Sequence, residues 1–363
     1  MKYKSLRERS ILSRIFLCSL CFLCSPCFLW LPALLLPDCR VVWAQAPKPH
    51  ALVAASATSV EKSINFPDHP VGTLTFTSQV GDQTVTKKAG PAHGLVKVPS
   101  HTKVELSLNF DGVSNLSFLS KLKPDDLQTL SFDGDAVENG QFKWVPHLAD
   151  LESLSFTEVD LTDKQLEQCL KELKNMKHLS SLVLDRTLVT DTGVTSIVKN
   201  LPHLQVLLLL HDAITDKGVE QLKDLRSLSK LQLGATHLSD KGVVTLAGLS
   251  SLTSLGLQET NVTDGAAASL AKISSLSELN LSKTGITDAG VQALASLPSL
   301  KILKISLNHI SNNGVKSLIK LKHLHFLDIT ATDIDREHAK AIQAALPKCH
   351  IFWAPNFRRA DPL

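Results

Sequence analysis

The 363-residue chain contains few aromatic side chains and no long run of charge of one sign. Aromatic residues make up 5% of it, with a single tyrosine, and the formal net charge is +3. Residues 1–46 hold six basic and two acidic residues, a net +4, so the remaining chain carries −1. Because it has no basic stripe, the sequence lacks the electrostatic signature of nucleic-acid binding, and no nucleic-acid partner is predicted.

No motif of a known catalytic centre occurs after residue 46. The sequence there contains no G-x-S-x-G, no phosphate-binding loop, no H-E-x-x-H and no paired-cysteine motif. Serine, histidine and aspartate are plentiful, but they recur at regular intervals instead of converging on one pocket. The sequence therefore predicts a protein that is not an enzyme, with no catalytic residues, no cofactor and no metal.

A repeat accounts for most of the chain. An L-x-x-L-x-L frame, with Phe or Ile at its last position in some units, begins nine times, in steps of 24 residues apart from one of 28 and one of 25. The first leucines, which we call the origins of the nine units, are Leu127, Leu151, Leu179, Leu204, Leu228, Leu252, Leu276, Leu300 and Leu324. Eight units have an acidic or amide residue twelve positions after the origin. Because a catalytic aspartate is not needed eight times, these residues are predicted to build the fold.

Each unit predicts a strand, a turn and a helix. Leu276, Leu279 and Leu281 show the alternation of a strand with one buried face. Thr or Ser then precedes Asp or Asn in seven consecutive units, which indicates a helix start because the hydroxyl caps a free N–H and the carboxylate favours the positive end of the helix dipole. A glycine two residues later, such as Gly290, is expected to lie close to the neighbouring coil. One strand and one short helix bury no core alone, so the units are predicted to stack.

Residues 127–347 resemble a leucine-rich repeat array of the 24-residue kind, with I-T-D-x-G-V in the variable half. The resemblance implies an α/β solenoid, with a parallel β ladder on the concave face, short helices on the convex face, and protein binding as the function. The segment ALPKCHIFW, residues 345–353, resembles the C-terminal closing segment of exported bacterial members. Residues 348–363 are accordingly predicted to form a C-terminal cap and tail.

The region before the repeats is predicted to contain a small β module. Residues 47–62 show no regular pattern and are predicted to be a linker, whereas residues 63–126 contain alternating segments separated by Gly or Pro. Leu106 and Leu108 lie one repeat length before Leu130 and Phe132. The last strand of the module is therefore expected to pair with the first repeat strand and cap the core, although a separate ligand-binding module is the alternative.

Residues 1–46 have the pattern of an export signal. Basic residues precede a largely uncharged apolar run at residues 15–36, and small residues follow at Ala44-x-Ala46. Two interpretations remain open, a cleaved signal peptide and an uncleaved signal anchor, because the run is long enough to span a bilayer. Both predict an exported protein that is periplasmic, secreted, or anchored to the membrane through residues 15–36.

Cysteine and histidine suggest metal sites at two places, and the sequence favours the simpler interpretation at each. Four cysteines have the C-x-x-C spacing of iron–sulfur ligands, but they lie within the apolar run: Cys18, Cys21, Cys24 and Cys27. His178 and His203 directly precede successive origins and are expected about 5 Å apart, without a carboxylate or cysteine beside them. Cys169 and Cys349 are expected to lie about 30 Å apart, too far for a disulfide.

Residues two, four and six positions after each origin are predicted to face the open concave side. The fourth unit is unusual because aliphatic residues occupy all three positions, and the first candidate surface consists of Val183, Val206, Leu208 and Leu210. An exposed aliphatic cluster on a polar ladder is a candidate partner-binding site; the alternative is packing against the chain itself.

A second candidate surface near the end of the array consists of Ile302, Lys304, Phe326 and Asp328. Phe326 is the only aromatic residue in these positions of the nine units, and it is expected either to anchor a partner side chain or to cover the end of the core.

The sequence thus predicts a non-enzymatic scaffold that binds a protein partner through its concave face. Binding of an envelope glycan is one alternative. A second alternative is a substrate-receptor adaptor in ubiquitin ligation, because the repeat type also resembles the arrays of F-box receptors. Those receptors carry a helical box before the repeats, whereas the corresponding segment here has a β pattern and follows an export signal.

Overall fold

The computed structural model describes residues 60–81, 83–134 and 140–355. A 13-stranded sheet runs through this part of the chain in the order β15 to β5 followed by β2 and β3, and a separate antiparallel pair joins β1 to β4. The strands before the repeats are β1 (Val60–Asn65), β2 (Gly72–Val80), β3 (Gln83–Pro91), β4 (Leu95–Pro99) and β5 (Thr102–Leu108).

The nine units contribute nine parallel strands in register, and a tenth follows them. They are β6 (Thr129–Asp133), β7 (Ser153–Thr157), β8 (Ser181–Asp185), β9 (Val206–Leu210), β10 (Lys230–Gln232), β11 (Ser254–Gly256), β12 (Glu278–Asn280), β13 (Ile302–Lys304), β14 (Phe326–Asp328) and β15 (His350–Phe352). Leucines three positions after the origin pair from strand to strand, as Leu231 does with Leu255, and their side chains are fully buried. Because successive side chains of a strand alternate between faces, this register places the leucines in one continuous core. The predicted solenoid is confirmed.

Short helices alternate with these strands. They are α1 (Phe110–Ser114), α2 (Asp163–Leu173), α3 (Asp191–Asn200), α4 (Asp216–Gln221), α5 (Asp240–Leu246), α6 (Asp264–Leu270), α7 (Asp288–Leu294), α8 (Val315–Leu318) and α9 (Arg336–Ala345). From α2 to α7 each helix begins at the predicted aspartate, and the preceding Thr or Ser caps it, as Thr287 accepts from the amide of Ala289 before α7. The helix start signal is therefore confirmed in these units.

The same aspartates also connect neighbouring units. The carboxylate of Asp216 accepts from the backbone N–H of Ser239 at 2.8 Å and from its hydroxyl at 2.6 Å. Equivalent pairs of bonds join Asp163, Asp191, Asp240, Asp264 and Asp288 to the Thr or Ser before the next helix. A Cβ on Gly242 would lie 2.6 Å from an oxygen of Asp216, so the glycine of the motif leaves room for this carboxylate.

A tight turn follows each repeat strand. The residue seven positions after the origin has a positive φ, between 53° and 60° in the eight units where it is not glycine. Its N–H donates to the next unit, as that of Arg186 does to the carbonyl of Leu210 at 2.9 Å. Because this backbone bond recurs in every unit, the column forms a continuous edge of the concave face, and some of its side chains also meet, such as Lys283 Nζ with Glu259 Oε2 at 2.8 Å. We call this edge the rim.

The N-terminal module extends the repeat sheet. β5 pairs with β6 in parallel, with Leu106 opposite Leu130, and β2 then pairs antiparallel with both β5 and β3. The predicted linker at residues 47–62 extends too far, because β1 begins at Val60 and pairs with β4. Alternation is weak in VEKSIN, where Glu61, Lys62 and Ser63 are consecutive polar residues, and this explains the error.

Aromatic residues are concentrated in the core of the first two units. Phe132 and Phe156 stack with ring centroids 4.9 Å apart, and Phe142 contacts both rings edge-on at 5.9 and 5.8 Å. The cysteines of the array, Cys169 and Cys349, are buried and form no disulfide, and burial raises the pKa of each thiol. Packing and hydrogen bonding therefore hold the repeats together.

Some predictions concern residues outside the described ranges. They are the signal segment at residues 1–46, the linker as far as residue 59, and the tail from residue 356. Asn139, the amide residue twelve positions after the first origin, also lies outside these ranges. Among the helices of residues 60–81, 83–134 and 140–355, none is long and apolar enough to cross a membrane.

Candidate interaction surface

Four aliphatic side chains form a contiguous patch on the concave sheet. Val183 lies opposite Leu208 in the pairing of β8 with β9, and Val206 and Leu210 flank Leu208 along β9. All four are half-buried, whereas Leu207 and Leu209 between them are fully buried in the core. We call Val183, Val206, Leu208 and Leu210 the apolar patch. The structure brings these predicted residues together and leaves part of each side chain accessible from the concave face.

A cluster of charged and polar side chains borders the patch at the rim. Asp185 lies opposite Leu210, and its carboxylate is 2.9 Å from Nδ1 of His211 and 3.4 Å from Nη1 of Arg186. Arg186 also lies 3.8 Å from Oε1 of Glu158. Glu158, Arg186 and His211 are the positive-φ residues of three consecutive units, so the turn geometry aligns their side chains. An apolar centre beside a polar rim is the arrangement found in protein interfaces.

The two strands that follow the patch, β10 and β11, present polar side chains and glycine on the concave face. Gly234 and Gly256 have no side chain there, and the amide groups of Gln258 and Gln232 lie in the space that a Cβ would occupy. Oε1 of Gln258 is buried and accepts no hydrogen bond among the described residues. The apolar patch therefore ends at β9, and its neighbours contribute polar amides.

The second candidate surface lies at the other end of the array. Phe326 is half-buried and packs against Phe352 with ring centroids 5.0 Å apart, and Nζ of Lys304 lies 5.8 Å from its ring centroid. Asp328 accepts from the backbone N–H of Thr330 at 3.0 Å. Phe352, which is 55% exposed, belongs to β15 and extends this surface beyond the nine predicted units.

The two candidate surfaces do not meet. Ile302 and the rest of the second surface lie on β13 and β14, and three strands, β10 to β12, separate them from β9. Part of Phe326 is covered by the chain itself. The apolar patch therefore remains the better candidate, because its four side chains are contiguous and flanked by charge.

The two histidines considered as metal ligands lie outside both surfaces. Nε2 of His178 is 3.9 Å from a carboxylate oxygen of Asp150, so the expectation that no carboxylate lies beside the pair is wrong: Asp150 directly precedes an origin, as His178 does. His203 lines a groove of about 380 Å³ together with Met176 and Pro202. Within the part of the chain that the structure describes, no three residues among His, Cys, Asp and Glu come together as metal ligands would.

The fold and its open concave sheet define the class of protein. Residues 127–134 and 140–354 form a leucine-rich repeat solenoid, an architecture that exposes an extended concave surface and serves in general as a protein-interaction scaffold. A family model described as "Leucine Rich repeat" matches residues 272–295 and 296–318, which lie in the seventh and eighth units and their junctions. The chain therefore has the leucine-rich repeat fold, and two of its repeats match the model of that family.

Solved structures with similar chains include two from Listeria monocytogenes. The internalin C2 chain is 23% identical, with 64% of this chain and 82% of that chain covered and a TM-score of 0.40. The internalin InlF chain is 19% identical, with 65% and 85% covered and a TM-score of 0.39. A chain of the TLR13–ssRNA13 complex is 18% identical, with 69% and 35% covered and a TM-score of 0.46. A search of curated protein sequences finds no match.

The sequence did not indicate the polar rim. Asp185 and His211 are 26 residues apart, and their contact depends on the backbone conformation of the turns. The one available signal was the position: Glu158, Arg186 and His211 all stand seven residues after an origin. Phe352 was missed because the frame was counted only to the ninth unit, although it lies 24 residues after Asp328.

Proposed function

We propose that the chain is an exported, non-enzymatic scaffold that holds a protein partner on its concave sheet, with the apolar patch as the main contact. The observation that supports this most directly is the cluster of four half-buried aliphatic side chains, centred on Leu208; all other concave-face positions of β6 to β12 hold polar residues or glycine. An apolar centre surrounded by polar groups is the arrangement of a protein interface, whose buried core is more apolar than its rim.

The partner we propose is a protein segment that presents an apolar side chain, such as Leu or Phe, to Leu208 and Leu210. The charge of the chain favours a protein partner over a nucleic acid. Residues 47–363 carry a net charge of −1, and the polar border of the patch contains both an acidic residue, Asp185, and a basic one, Arg186. Export is part of the proposal and is supported by the pattern of residues 1–46.

Leu208→Asp is expected to weaken partner binding at least about tenfold, which corresponds to about 1.4 kcal/mol. The reason is that a carboxylate would have to be desolvated in the middle of the contact. The probe is a random peptide library displayed on phage and selected on the full-length chain; the affinities of the enriched peptides are then measured for wild type and variant.

Asn280→Asp is the matched control, since it adds the same charge to the same column three strands away on β12. It is expected to leave peptide affinity unchanged. Both variants should melt within a degree or two of wild type, because neither position lies in the core. Equal affinity of the selected peptides for wild type and Leu208→Asp, or a selection that enriches none, would refute the patch as the interface.

Export has its own test, which is sequencing the N-terminus of the protein recovered from cells. A start between residues 43 and 47 would mean signal removal, and an intact N-terminus in a membrane fraction would mean an anchor. An intact N-terminus in the cytosol would refute export.

A further inference from the structure

Asp212 is a buried carboxyl group in the unit that carries the apolar patch. It stands eight positions after the origin, two residues after Leu210, and is 3% exposed. Its Oδ1 accepts from the backbone N–H of Thr187 at 2.8 Å and from the hydroxyl of Thr187 at 2.9 Å. Its Oδ2 is buried and has no hydrogen-bond partner among the described residues. Burial of half a carboxyl group without a partner is costly and calls for an explanation.

Asn308 shows what this position requires. It stands eight positions after its own origin, and its Oδ1 accepts from the N–H of Thr284 at 2.9 Å and from the hydroxyl of Thr284 at 3.2 Å, just as Asp212 does with Thr187. Its Nδ2 then donates to the carbonyl of Leu281 at 2.7 Å and to that of Ile305 at 3.1 Å. The side-chain nitrogen of Asn308 thus donates to main-chain carbonyls of two neighbouring units.

The residues that correspond to this pair are Leu184 of the third unit and Leu209 of the fourth, each five positions after its origin. By analogy with Asn308, Oδ2 of Asp212 is expected to face these two carbonyl oxygens. An ionised carboxylate only accepts hydrogen bonds, so it cannot satisfy them. A proton on Oδ2 converts it into a donor and makes Asp212 equivalent to Asn308.

We propose that, in mildly acidic solution, Asp212 of the folded protein carries a proton on Oδ2 and donates a hydrogen bond to the main chain between β8 and β9. Loss of that proton would then loosen the unit that presents the apolar patch. This inference concerns the chain alone and is independent of the proposed function.

Electrostatics support the same conclusion. Burial raises the pKa of Asp212 to about 6; the N–H and hydroxyl of Thr187 oppose this rise, the nearby carboxylate of Asp185 adds to it, and His211 lowers it. The charged and titratable groups around Asp212 are Asp185 and Arg186 from the end of β8, His211 beside it, and Glu158 from the preceding turn. The turn after β10, which follows on the other side, begins with Gly234 and Ala235 and contains one titratable group, His237.

The direction of the pH effect follows from the raised pKa. The folded state holds the proton more tightly than the unfolded state, in which the carboxyl has its ordinary pKa of 3.8. Stability from this group is therefore complete below about pH 4 and is lost as the pH rises through about 6. The folded protein should be more stable in mildly acidic than in neutral solution as far as this residue is concerned.

Asp212→Asn tests the proposal in the full-length chain without any partner. The amide supplies the donor at every pH, so the variant should melt about 3 °C or more above wild type at pH 7.5 and should lose much less stability between pH 4.5 and 7.5. Melting curves followed by circular dichroism at several pH values give both quantities. Infrared spectroscopy at pH 5 adds a direct readout, because the absorption of one protonated carboxyl group should disappear.

Asn308→Asp is the reciprocal variant. It should create a second buried acid, lower the melting temperature at pH 7.5 and steepen the decline with pH. Wild type and the two variants share all histidines and all other carboxylates. Differences between their curves of melting temperature against pH therefore report on positions 212 and 308 alone. If Asp212→Asn melts below wild type at pH 7.5, or keeps the wild-type pH dependence, the proposal is wrong; absence of a new pH dependence in Asn308→Asp would also overturn it.

Discussion

Phe156→Ala is expected to lower the free energy of unfolding by about 3–5 kcal/mol, the largest effect we predict for a single substitution. Phe156 is fully buried and contacts the rings of both Phe132 and Phe142, so its removal leaves a cavity with aromatic walls. Two ring contacts are lost in addition to the buried area, and each contributes about 0.5–1.5 kcal/mol. Urea unfolding followed by circular dichroism measures the loss.

Phe156→Leu is the control for this prediction. The fold accepts leucine at the same position of the next two units, where Leu184 and Leu209 are fully buried. A smaller loss, about 1–2 kcal/mol, is therefore expected, because most of the apolar volume is retained. If the alanine variant lost less than about 1 kcal/mol, Phe156 would not be packed as the structure shows.

The period of the leucines was sufficient to predict the solenoid. A single strand with alternating leucines has many folding options, but the recurrence of the frame at Leu228, Leu252 and Leu276 in equal steps leaves one, the stacking of identical coils. The helix starts were predictable for a similar reason, since hydroxyl and carboxylate groups have a known preference for helix N-termini.

The second role of the aspartates was not predictable from one unit. Asp240 satisfies the helix start signal in its own unit, and nothing in that unit indicates that it also accepts from Thr263 of the next. The positive φ in each turn was hidden too, because residues as different as Glu259, Lys283 and Leu307 occupy the position. There the conformation is dictated by the path of the backbone from strand to helix, and the side chain adapts to it.

The candidate site, too, was only partly predictable from the sequence. Val206, Leu208 and Leu210 were predictable as a surface, because the period of a strand fixes which side chains share a face. Their polar border was not, because the contact of Asp185 with His211 depends on turn geometry. Asp212 differs from asparagine by a single group, and only burial and the comparison with Asn308 show that the difference matters.

The inter-unit bonds nevertheless explain why so regular a chain needs its aspartates. Strand pairing and leucine packing join neighbouring units on the concave side and in the core. The bonds of Asp216 to Ser239 join them near the helix starts. In that part of the described units, the backbones of neighbouring units pair only through isolated parallel bridges, such as that of Thr215 with His237. Nearest-neighbour coupling of this kind sets the cooperativity of a solenoid.

Asp216→Ala is expected to lower the free energy of unfolding by about 2–4 kcal/mol. Two charge-assisted hydrogen bonds are lost, each contributing about 1–2 kcal/mol because they are only part-buried, and the N–H of Ser239 is left without its acceptor. The methyl group of alanine occupies less space than the carboxylate beside Gly242, so no steric strain adds to the loss. Urea unfolding gives the free energy, and hydrogen exchange at the amide of Ser239 shows whether the loss is local.

Asp216→Asn separates the two bonds. Asn312 occupies the equivalent position in the eighth unit and keeps one of them, with its side-chain oxygen 3.0 Å from the backbone N–H of Asp335. Asparagine at 216 should therefore retain about half of the stabilisation, and the Ser239 amide should stay protected from exchange. If Asp216→Ala unfolds at the same urea concentration as wild type, the carboxylate bonds do not couple the units, and the leucine core alone accounts for their stacking.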